Sequence, residues 1–359
     1  MKTKKLYRYR PLSDFLFKEL RYDELYLASY AELNDPLDLS AKINFKPSGK
    51  KQLEYLIHFL IKTSLNLSVN INSGTGKSYI QKMIKLSKDT KLRSRICGRL
   101  YDYITKQKCD FVLYDSIEEN VIKVSEEFHV EFMLTNFREE VQRITEVFFK
   151  NSYATCFSDT CSDFLMWSHY ASKHTGICIE FSLNHKDEFP YFLLGKKNTD
   201  EEKYCKKFSE WEFNGILYWE KIHKIKYQKN IPSINFFDFS PVFENEGDCD
   251  LMTISKSRWH RYAHEVAKVF SVKTSLWKYE KEWRALDINF GKIKEPEERI
   301  RHYPIEAVTG VYFGNRTPNK IKDRIFKILN PKNEFINYFD CLFLNNRDVK
   351  FRKWEYVDD

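Results

Sequence analysis

The chain has 359 residues and a formal net charge of +8, from 59 Lys and Arg against 51 Asp and Glu. Aromatic residues make up 16% of it, which excludes an intrinsically disordered protein because such sequences are poor in aromatic residues. Only 11 residues are Gly and 10 are Pro, which disfavours collagen, glycine-rich nucleotide-binding folds and linker-rich arrays.

Apolar segments are too short for a membrane span. No run approaches the roughly 18 apolar residues of a span, and the candidate at residues 55–61 is interrupted by His58. The basic N-terminal segment leads into Leu-Tyr-Arg-Tyr-Arg rather than into the apolar core of a signal peptide. The eight Cys residues form no CxxC pair. We therefore expect a cytoplasmic protein with reduced thiols and no membrane partner.

The first 45 residues predict mixed structure. Residues 6–9 have the pattern of a short strand, and Ser13 is placed to cap the helix that follows, because its hydroxyl can accept from an unpaired amide. Alternating apolar residues at 24–28 predict a second strand. Asn-Asp-Pro at 34–36 predicts a turn, since a residue before proline is disfavoured from the helical region.

Residues 46–150 change to helical periodicity. Apolar residues recur there at a spacing near 3.6, and the longest such pattern covers 124–150. We predict a helical insert at 46–150 that contributes few groups to the site. The segments 1–45 and 151–359 would then form one core domain.

The second half of the chain mixes both element types. Strands are predicted at 153–157, 176–181, 283–288, 308–313 and 338–344. Helices are predicted at 162–172, 255–269 and 319–329. Since helices and strands do not alternate regularly, we predict an α+β fold with a mainly antiparallel sheet core and flanking helices.

Three patterns imitate known motifs weakly. Residues 73–78 match the end of a phosphate-binding P-loop, but Ile71 stands where the motif needs its first glycine. His260 and His264 share a helical face, but the residue after the first His is not the Glu of zinc peptidases. The Cys and His residues between 156 and 178 fit no zinc spacing. We predict no metal site from these residues.

Four separated blocks occur in an order that resembles one bacterial family. They are LYRYR at 6–10, NDPLD at 34–38, the set CFS, MWSHY and HTGICIEF within 156–181, and Lys273 with WKYEKEWR at 277–284. On these blocks the chain resembles the family called domain of unknown function 2971. The family name states no activity, so the function has to be inferred from the residues.

The chain also has a more distant similarity to the ADP-ribosyltransferases. That superfamily uses an Arg on its first strand, a Ser at a middle strand end and a Glu-x-Glu before a later strand to bind and cleave NAD. The matching positions here are Arg8, Ser158, Glu280 and Glu282. The similarity implies NAD as the substrate, with Glu282, Glu280 and Ser158 catalytic. The middle block reads Cys-Phe-Ser rather than Ser-x-Ser, and Arg10 could replace Arg8 as the binding residue.

The residue types suit the cleavage of a dinucleotide. A guanidinium can bind a pyrophosphate through two hydrogen bonds. A carboxylate can stabilise the oxocarbenium-like centre that forms when the glycosidic bond breaks. Tyr9 beside the arginine would add a binding group. Trp167, Tyr170 and His174 lie at i, i+3 and i+7, so a continuous helix would place them on one face as an aromatic wall for nicotinamide.

We therefore expect Arg8, Ser158, Tyr170 and Glu282 to line one pocket. If Arg8 and Glu282 lie on opposite faces of the sheet, the transferase hypothesis is lost. The acceptor of the ADP-ribose, a protein or a nucleic acid, stays open. Such an activity would suit a bacterial toxin or a phage-defence effector.

Other interpretations fit the same residues. Asp35, Asp38, Glu280 and Glu282 could gather Mg²⁺ in a metal-dependent nuclease. The basic and aromatic segment 221–229 would suit a non-enzymatic protein that binds nucleic acid by stacking and phosphate contact. A third interpretation makes the charges around 278–284 a solvated, self-neutralising surface cluster.

Overall fold

The structure, a computed structural model, describes the chain in several segments. The described residues are 2–40, 42–44, 46–67, 81, 84–86, 88–106, 151–186, 189–197, 205–208, 211–230, 232–235, 237, 264–288, 294–344 and 348–357. The helix expected at 124–150, the segment 73–78 and His260 lie outside them.

The described elements follow the chain in an irregular order of helices and strands. The strands are β1 (Lys2–Arg10), β2 (Glu24–Tyr26), β3 (Ala28–Ser29), β4 (Lys42–Asn44), β5 (Ser152–Ser158), β6 (Ile177–Lys186), β7 (Phe189–Lys197), β8 (Cys205–Phe208), β9 (Trp211–Lys224), β10 (Lys226–Gln228), β11 (Ser233–Asn235), β12 (Val272–Thr274), β13 (Glu282–Ile288), β14 (Ile300–His302), β15 (Val308–Phe313), β16 (Asn337–Phe343) and β17 (Val349–Lys353). The α-helices are α1 (Asp14–Tyr22), α2 (Lys50–Leu67), α3 (Thr90–Lys106), α4 (Phe164–Tyr170) and α5 (Asn319–Leu329). Short 3₁₀ turns lie at Tyr30–Glu32, Ser275–Glu280, Pro296–Arg299 and Ile305–Ala307, and residues 264–270 are also helical.

One sheet of 13 strands organises the fold, and six of its strands close into a ring. Around the ring the order is β6, β1, β5, β13, β9 and β7, and the pairing of β7 with β6 completes it. All pairings in the ring are antiparallel. In the rest of the sheet, the described pairing of β15 with β16 is parallel. A closed ring leaves its strands without free edges along most of their length.

The main apolar core lies on one face of this ring. Each of the six strands contributes a buried residue to a single cluster, which extends to α1 and α5. Examples are Leu6, Phe157, Phe181, Phe192, Ile222 and Trp283. A second cluster, built around Tyr9, Trp167 and Cys178, packs α4 against the opposite face of β1 and β6. Two apolar layers therefore fix the strands that carry the functional residues.

The predicted fold class is confirmed: the protein is α+β, with a mainly antiparallel sheet and flanking helices. Ser13 caps α1 as expected, since its Oγ accepts from the Leu16 amide at 3.3 Å. Within 46–150 the described helices α2 and α3 agree with the predicted helical periodicity. The domain boundaries stay a prediction. Among the described residues, no helix combines the length and the apolarity that crossing a membrane requires.

Gly314 allows a tight turn to pack beside α4. Ser172, Lys173 and His174 have φ values of 46°, 55° and 72°, a left-handed conformation that non-glycine residues rarely adopt. A Cβ at position 314 would overlap the carbonyl oxygen of His174 and lie 2.7 Å from its carbonyl carbon. The turn can therefore occupy this position only because residue 314 has no side chain.

We expect Gly314→Ala to lower the free energy of unfolding by about 1–3 kcal/mol, because the backbone must shift to admit the methyl group. Gly98→Ala in α3 is the control, since its Cβ would meet only Lys50 Nζ at 3.6 Å. That change should be neutral or should stabilise the helix by up to about 1 kcal/mol. Urea denaturation measures both variants, and equal stability of the two would contradict the packing argument.

Candidate functional site

A cavity of about 390 Å³ opens between β1 and β5. These two strands pair at a single position, Tyr7 with Ser158, and β5 then pairs with β3 through Ala154 and Ala28. The cavity occupies the gap that this change of partner leaves. Its volume falls within the range of small-molecule sites.

The cavity brings together most of the residues that the sequence analysis selected. The residues among them that line it are Arg8, Tyr9, Arg10, Ser158, Tyr170, Glu280 and Glu282. Asn34 and Asp38 from the NDPLD turn line it too, as does Lys273. Arg8, Ser158, Tyr170 and Glu282 therefore share one cavity, although they come from four separate elements.

Arg8 and Glu282 nevertheless extend from opposite faces of the sheet. Tyr7, Ser158 and Glu282 are register partners across β1, β5 and β13, so their side chains share one face. Arg8 follows Tyr7 on β1 and therefore points to the other face, toward α1. Both reach the cavity because it lies in the gap between strands. The predicted arrangement, in which Arg8 and Glu282 act from one face, is therefore wrong by the criterion set in the sequence analysis, and the observation that still supports a transferase-like site is the shared cavity.

The wall of the cavity beside α1 is cationic; we call it the arginine wall, and it consists of the lining residues Arg8 and Arg10 together with Glu19, which pairs with them but does not line the cavity. Glu19 Oε1 accepts from Arg10 Nη2 at 2.6 Å and lies 3.9 Å from Arg8 Nη2. Arg8 Nη1 donates to Thr155 Oγ1. Within the described part of the chain, the buried Nε atoms of both arginines have no hydrogen-bond partner. One carboxylate thus faces two guanidinium groups.

Arg8 is 93% buried, because only 7% of it is exposed. Burial and the nearby charge of Arg10 lower the pKa of Arg8 to about 10. A guanidinium with this pKa still carries its charge at neutral pH. A buried charge with incomplete pairing is costly, so an anionic ligand would relieve it.

The opposite wall is built around Arg284, which is fully buried; we call it the acid wall, and it consists of Asp38, Lys273, Glu280, Glu282 and Arg284. Arg284 donates to both oxygens of Asp38 at 2.6 Å each. Its Nε and Nη2 donate to the two oxygens of Glu282 at 2.5 and 3.0 Å. A single guanidinium therefore joins the NDPLD turn to β13.

Lys273 joins the remaining carboxylate to this network. Its Nζ lies 2.7 Å from Glu280 Oε2, 3.3 Å from Glu282 Oε2 and 3.4 Å from Asp38 Oδ2. The acid wall therefore holds three carboxylates and two cations. Glu280, Glu282 and Arg284 are buried, so the interpretation of 278–284 as a solvated surface cluster is wrong for them, whereas Lys278 and Lys281 are exposed.

The two glutamates of the acid wall differ in protonation. Burial raises the pKa of Glu280 to about 7; Glu282 adds to the rise, and Lys273 opposes it. Burial also opposes ionisation of Glu282, but Arg284 and Lys273 outweigh it and lower its pKa to about 2. Ionised Glu282 therefore stabilises the fold above its ordinary pKa of 4.5, and this contribution is lost as the pH falls toward 2. Near neutral pH, Glu280 is the carboxyl group that can take up or release a proton.

Tyr170 connects Glu280 to the NDPLD turn. Asp163 caps α4 by accepting from the amides of Leu165 and Met166, and the helix ends at Tyr170. The Tyr170 hydroxyl donates to Glu280 Oε1 and accepts from Asn34 Nδ2 at 2.5 Å. The NDPLD turn is thus held at both ends, by Asn34 and by Asp38.

Ser158 supports the backbone beside Glu280. Its hydroxyl donates to the Glu280 carbonyl oxygen at 2.7 Å and accepts from the Thr160 amide at 3.3 Å. The hydroxyl proton is therefore engaged with the main chain. In this arrangement Ser158 fixes the turn that presents Glu280.

Two expected binding residues lie outside the cavity. The prediction that Trp167, Tyr170 and His174 share a helical face is wrong, because α4 ends at Tyr170 and a left-handed turn follows. Trp167 is fully buried, donates to the Cys161 carbonyl at 2.7 Å and packs against Tyr9. His174 lies within hydrogen-bond distance of Ser168 and packs between Phe164 and Phe343.

The sequence analysis missed the structural roles of Asp38, Lys273 and Arg284. The NDPLD block and Lys273 were among the matched residues but had no role in the transferase scheme. Glu282 and Arg284 lie two apart on a predicted strand, and that spacing places them on one face. The contact with Asp38 is 246 positions away in the sequence, and no local pattern indicates it.

We expect Arg284→Met to lower the free energy of unfolding by about 3–5 kcal/mol, because the carboxylates of Asp38 and Glu282 would stay buried without their shared cation. Lys353→Met at the exposed Lys353–Glu355 pair is the control and should change it by less than about 1 kcal/mol. Chemical denaturation compares them, and a near-neutral Arg284 variant would contradict this role.

Comparisons with known proteins add one finding. The family model described as protein of unknown function (DUF2971) matches residues 166–285. No curated protein and no solved structure matches the chain. The matched segment contains most of α4, all of β12, the 3₁₀ turn at Ser275–Glu280 and most of β13, and so includes Tyr170, Lys273, Glu280 and Glu282. The resemblance to the DUF2971 family is therefore confirmed over the segment that builds most of the acid wall.

Proposed function

We propose that this chain is an ADP-ribosyltransferase-like enzyme that cleaves the N-glycosidic bond of NAD. The observation that carries the proposal is the pairing of two opposed walls in one cavity. The arginine wall has more positive charge than its carboxylate balances, and the acid wall presents Glu280 with a pKa near 7. NAD suits both walls, because it has an anionic pyrophosphate at its centre and a positively charged nicotinamide ring on one ribose.

The arginine wall suits the pyrophosphate. Arg8 and Arg10 both line the cavity, and each has an Nε without a partner among the described residues. The Nε atoms are themselves buried, so a phosphate would bind at the cavity-facing part of the guanidinium groups and balance the charge that Glu19 leaves uncompensated. Glu19 accepts a hydrogen bond from Arg10 and lies 3.9 Å from Arg8 Nη2. It therefore orients both guanidinium groups, and the arginine wall is formed before the ligand binds.

The separation of the two walls suits an elongated ligand. Arg8 and Glu282 reach the cavity from opposite faces of the sheet, through the gap between β1 and β5. A dinucleotide lying in this gap would place its pyrophosphate at Arg8 and its nicotinamide ribose at Glu280. Tyr9 and Tyr170 line the same cavity and offer aromatic surface to the ligand.

Glu280 is the carboxylate best placed for the reaction. Glu282 is bound on both oxygens by Arg284, whereas the side-chain partners of Glu280 in the described part of the chain are Lys273 and Tyr170. As the C1′–N bond breaks, its electron pair leaves with the nicotinamide nitrogen, which becomes neutral. The ribose gains oxocarbenium character, which a carboxylate stabilises. A hydroxyl of water or of an acceptor then bonds to C1′, and its proton passes to Glu280.

A metal-dependent nuclease is the alternative that this site must be tested against. The carboxylates that it would need are Asp38, Glu280 and Glu282, and their oxygens contact Lys273 and Arg284. Among the described residues, no group of His, Cys, Asp and Glu is arranged to hold a metal ion. Release of nicotinamide that persists in chelator, without DNA or RNA cleavage in Mg²⁺, would favour NAD cleavage. The reverse pattern would favour the nuclease.

We expect Glu280→Gln to reduce nicotinamide release by about 100-fold or more, because the amide cannot take up a proton and has no charge. NAD binding should stay within about tenfold, since this carboxylate acts mainly in the transition state. The control is Glu24→Gln, which changes a buried glutamate outside the cavity. Release by Glu280→Gln at the wild-type rate would refute the role of Glu280.

We expect Arg8→Ala to weaken NAD binding by about 10- to 100-fold, because it removes a charge-assisted hydrogen bond of about 1.5–3 kcal/mol. Calorimetric titration with NAD measures the dissociation constant. Exposed Arg352→Ala is the control and should leave it unchanged. Nicotinamide riboside, which lacks the pyrophosphate, should bind wild type and Arg8→Ala equally. An equal loss for both ligands would mean that Arg8 does not bind the pyrophosphate.

A further inference from the structure

Lys273 is the central cation of the acid wall. Its Nζ lies within 3.4 Å of three carboxylates, those of Glu280, Glu282 and Asp38. An ammonium group has three N–H donors, and its side chain here is 96% buried. Its Nζ also lies 4.8 Å from the ring centroid of Trp277, which adds a cation–π contact.

We propose that Lys273 is the positioning residue of this site: its ammonium favours the ionised form of the Glu280 carboxylate and holds that carboxylate at the cavity. This inference rests on the proposed function for the catalytic meaning of Glu280. The ionisation itself is a property of the folded protein and can be measured without substrate.

The groups around Glu280 leave Lys273 as its source of positive charge. Glu280 faces Glu282 from β13, Tyr170 from α4, its neighbour Tyr279, and Tyr227 from β10. These are acids or neutral phenols. Arg284 is engaged with other carboxylates, and among the described residues Lys273 is the cation in ion-pair contact with Glu280. Without it, burial and the charge of Glu282 would both favour the protonated form.

Lys273 itself stays charged. Burial opposes its charge, but Glu282, Glu280 and Asp38 together raise its pKa above the ordinary value for lysine. It therefore acts as a fixed charge throughout the range in which Glu280 titrates. A proton exchanged at neutral pH would belong to Glu280 and not to Lys273.

The fold holds Lys273 from both sides. β12 pairs in parallel with β10, which places Lys273 opposite Tyr227. The Tyr227 hydroxyl accepts from the Glu282 amide at 2.8 Å, so it ties the two-stranded unit to the first residue of β13. The ammonium is therefore fixed relative to the strand that carries its partners.

The test is a titration of Glu280 by NMR on full-length protein labelled with ¹³C at glutamate carboxyl groups. The Glu280 resonance is identified by its loss in Glu280→Gln. We expect a midpoint near pH 7 in the wild type. It should rise by about 1–3 pH units in Lys273→Met, since an opposite charge at this distance lowers a carboxyl pKa by that amount.

Lys322→Met is the matched control. Lys322 is also a largely buried lysine in a 2.6 Å ion pair, with Asp340, but it lies outside the cavity. The Lys322→Met variant should be less stable than the wild type, but the midpoint of the Glu280 titration should not change. If Lys273→Met does not fold, Lys273→Gln keeps a hydrogen-bond donor without the charge, and the same rise is expected. An unchanged midpoint in a folded Lys273 variant would overturn the proposal.

Kinetics separate a positioning role from a structural one. If the wild type releases nicotinamide, the half-maximal pH of kcat should move upward in Lys273→Met by the same amount, while KM changes little. Lys273→Arg retains the charge and should restore the lower midpoint. A uniform loss of kcat at every pH would indicate a structural role only. Absence of release by the wild type would refute the proposed function but would leave the NMR result to decide on Lys273.

Discussion

The buried guanidinium of Arg284 is the interaction on which the site depends. Moving a charge of this kind out of water costs several kcal/mol unless partners compensate it. Asp38 and Glu282 compensate it from two sides, each through two hydrogen bonds. The chain can bury Arg284 only when the NDPLD turn lies against β13. That requirement fixes the position of the turn relative to β13.

Charge is separated across the cavity. Arg284 and Lys273 neutralise most of the acid wall, but Glu280 is left with one cation and a phenol. On the arginine wall the imbalance is reversed, because Glu19 serves two guanidinium groups. Each wall therefore lacks one charge of the opposite sign, and the two walls face each other across a gap rather than neutralising each other. A ligand with an anionic and a cationic end would satisfy both.

The sequence predicted the parts of the site that depend on local patterns. Apolar alternation predicted the strands β1, β5 and β13, and the capping residue Ser13 predicted the start of α1, because each of these signals is contained in a few neighbouring residues.

The end of α4 was not predictable from a local pattern of this kind. Residues 172–174 adopt left-handed angles without a glycine, and the turn that they form packs against Gly314, where a side chain would clash with it. The helix therefore stops at Tyr170, and His174 does not share a helical face with Trp167 and Tyr170. The sequence analysis also missed the ion pair between Arg284 and Asp38, because the two residues are 246 positions apart and no local pattern links them.

The cavity itself follows from how the ring of strands is closed. β1 pairs with β6 over nine positions but with β5 at only one, and β5 then turns to β3. Beyond Tyr7 and Ser158, β1 and β5 therefore do not pair with each other among the described residues, and this edge of β5 is next paired at Ala154, with Ala28 of β3. Open strand edges are normally covered, because their backbone groups would otherwise pair with another chain. Here the segment that contains Leu33 and Asn34 and the helix that carries Tyr170 line the opening. The hydrogen bond from Asn34 to Tyr170 joins these two covers. The residues that protect the gap are thus the ones that orient Glu280, so the stability of this edge and the geometry of the site depend on the same contacts.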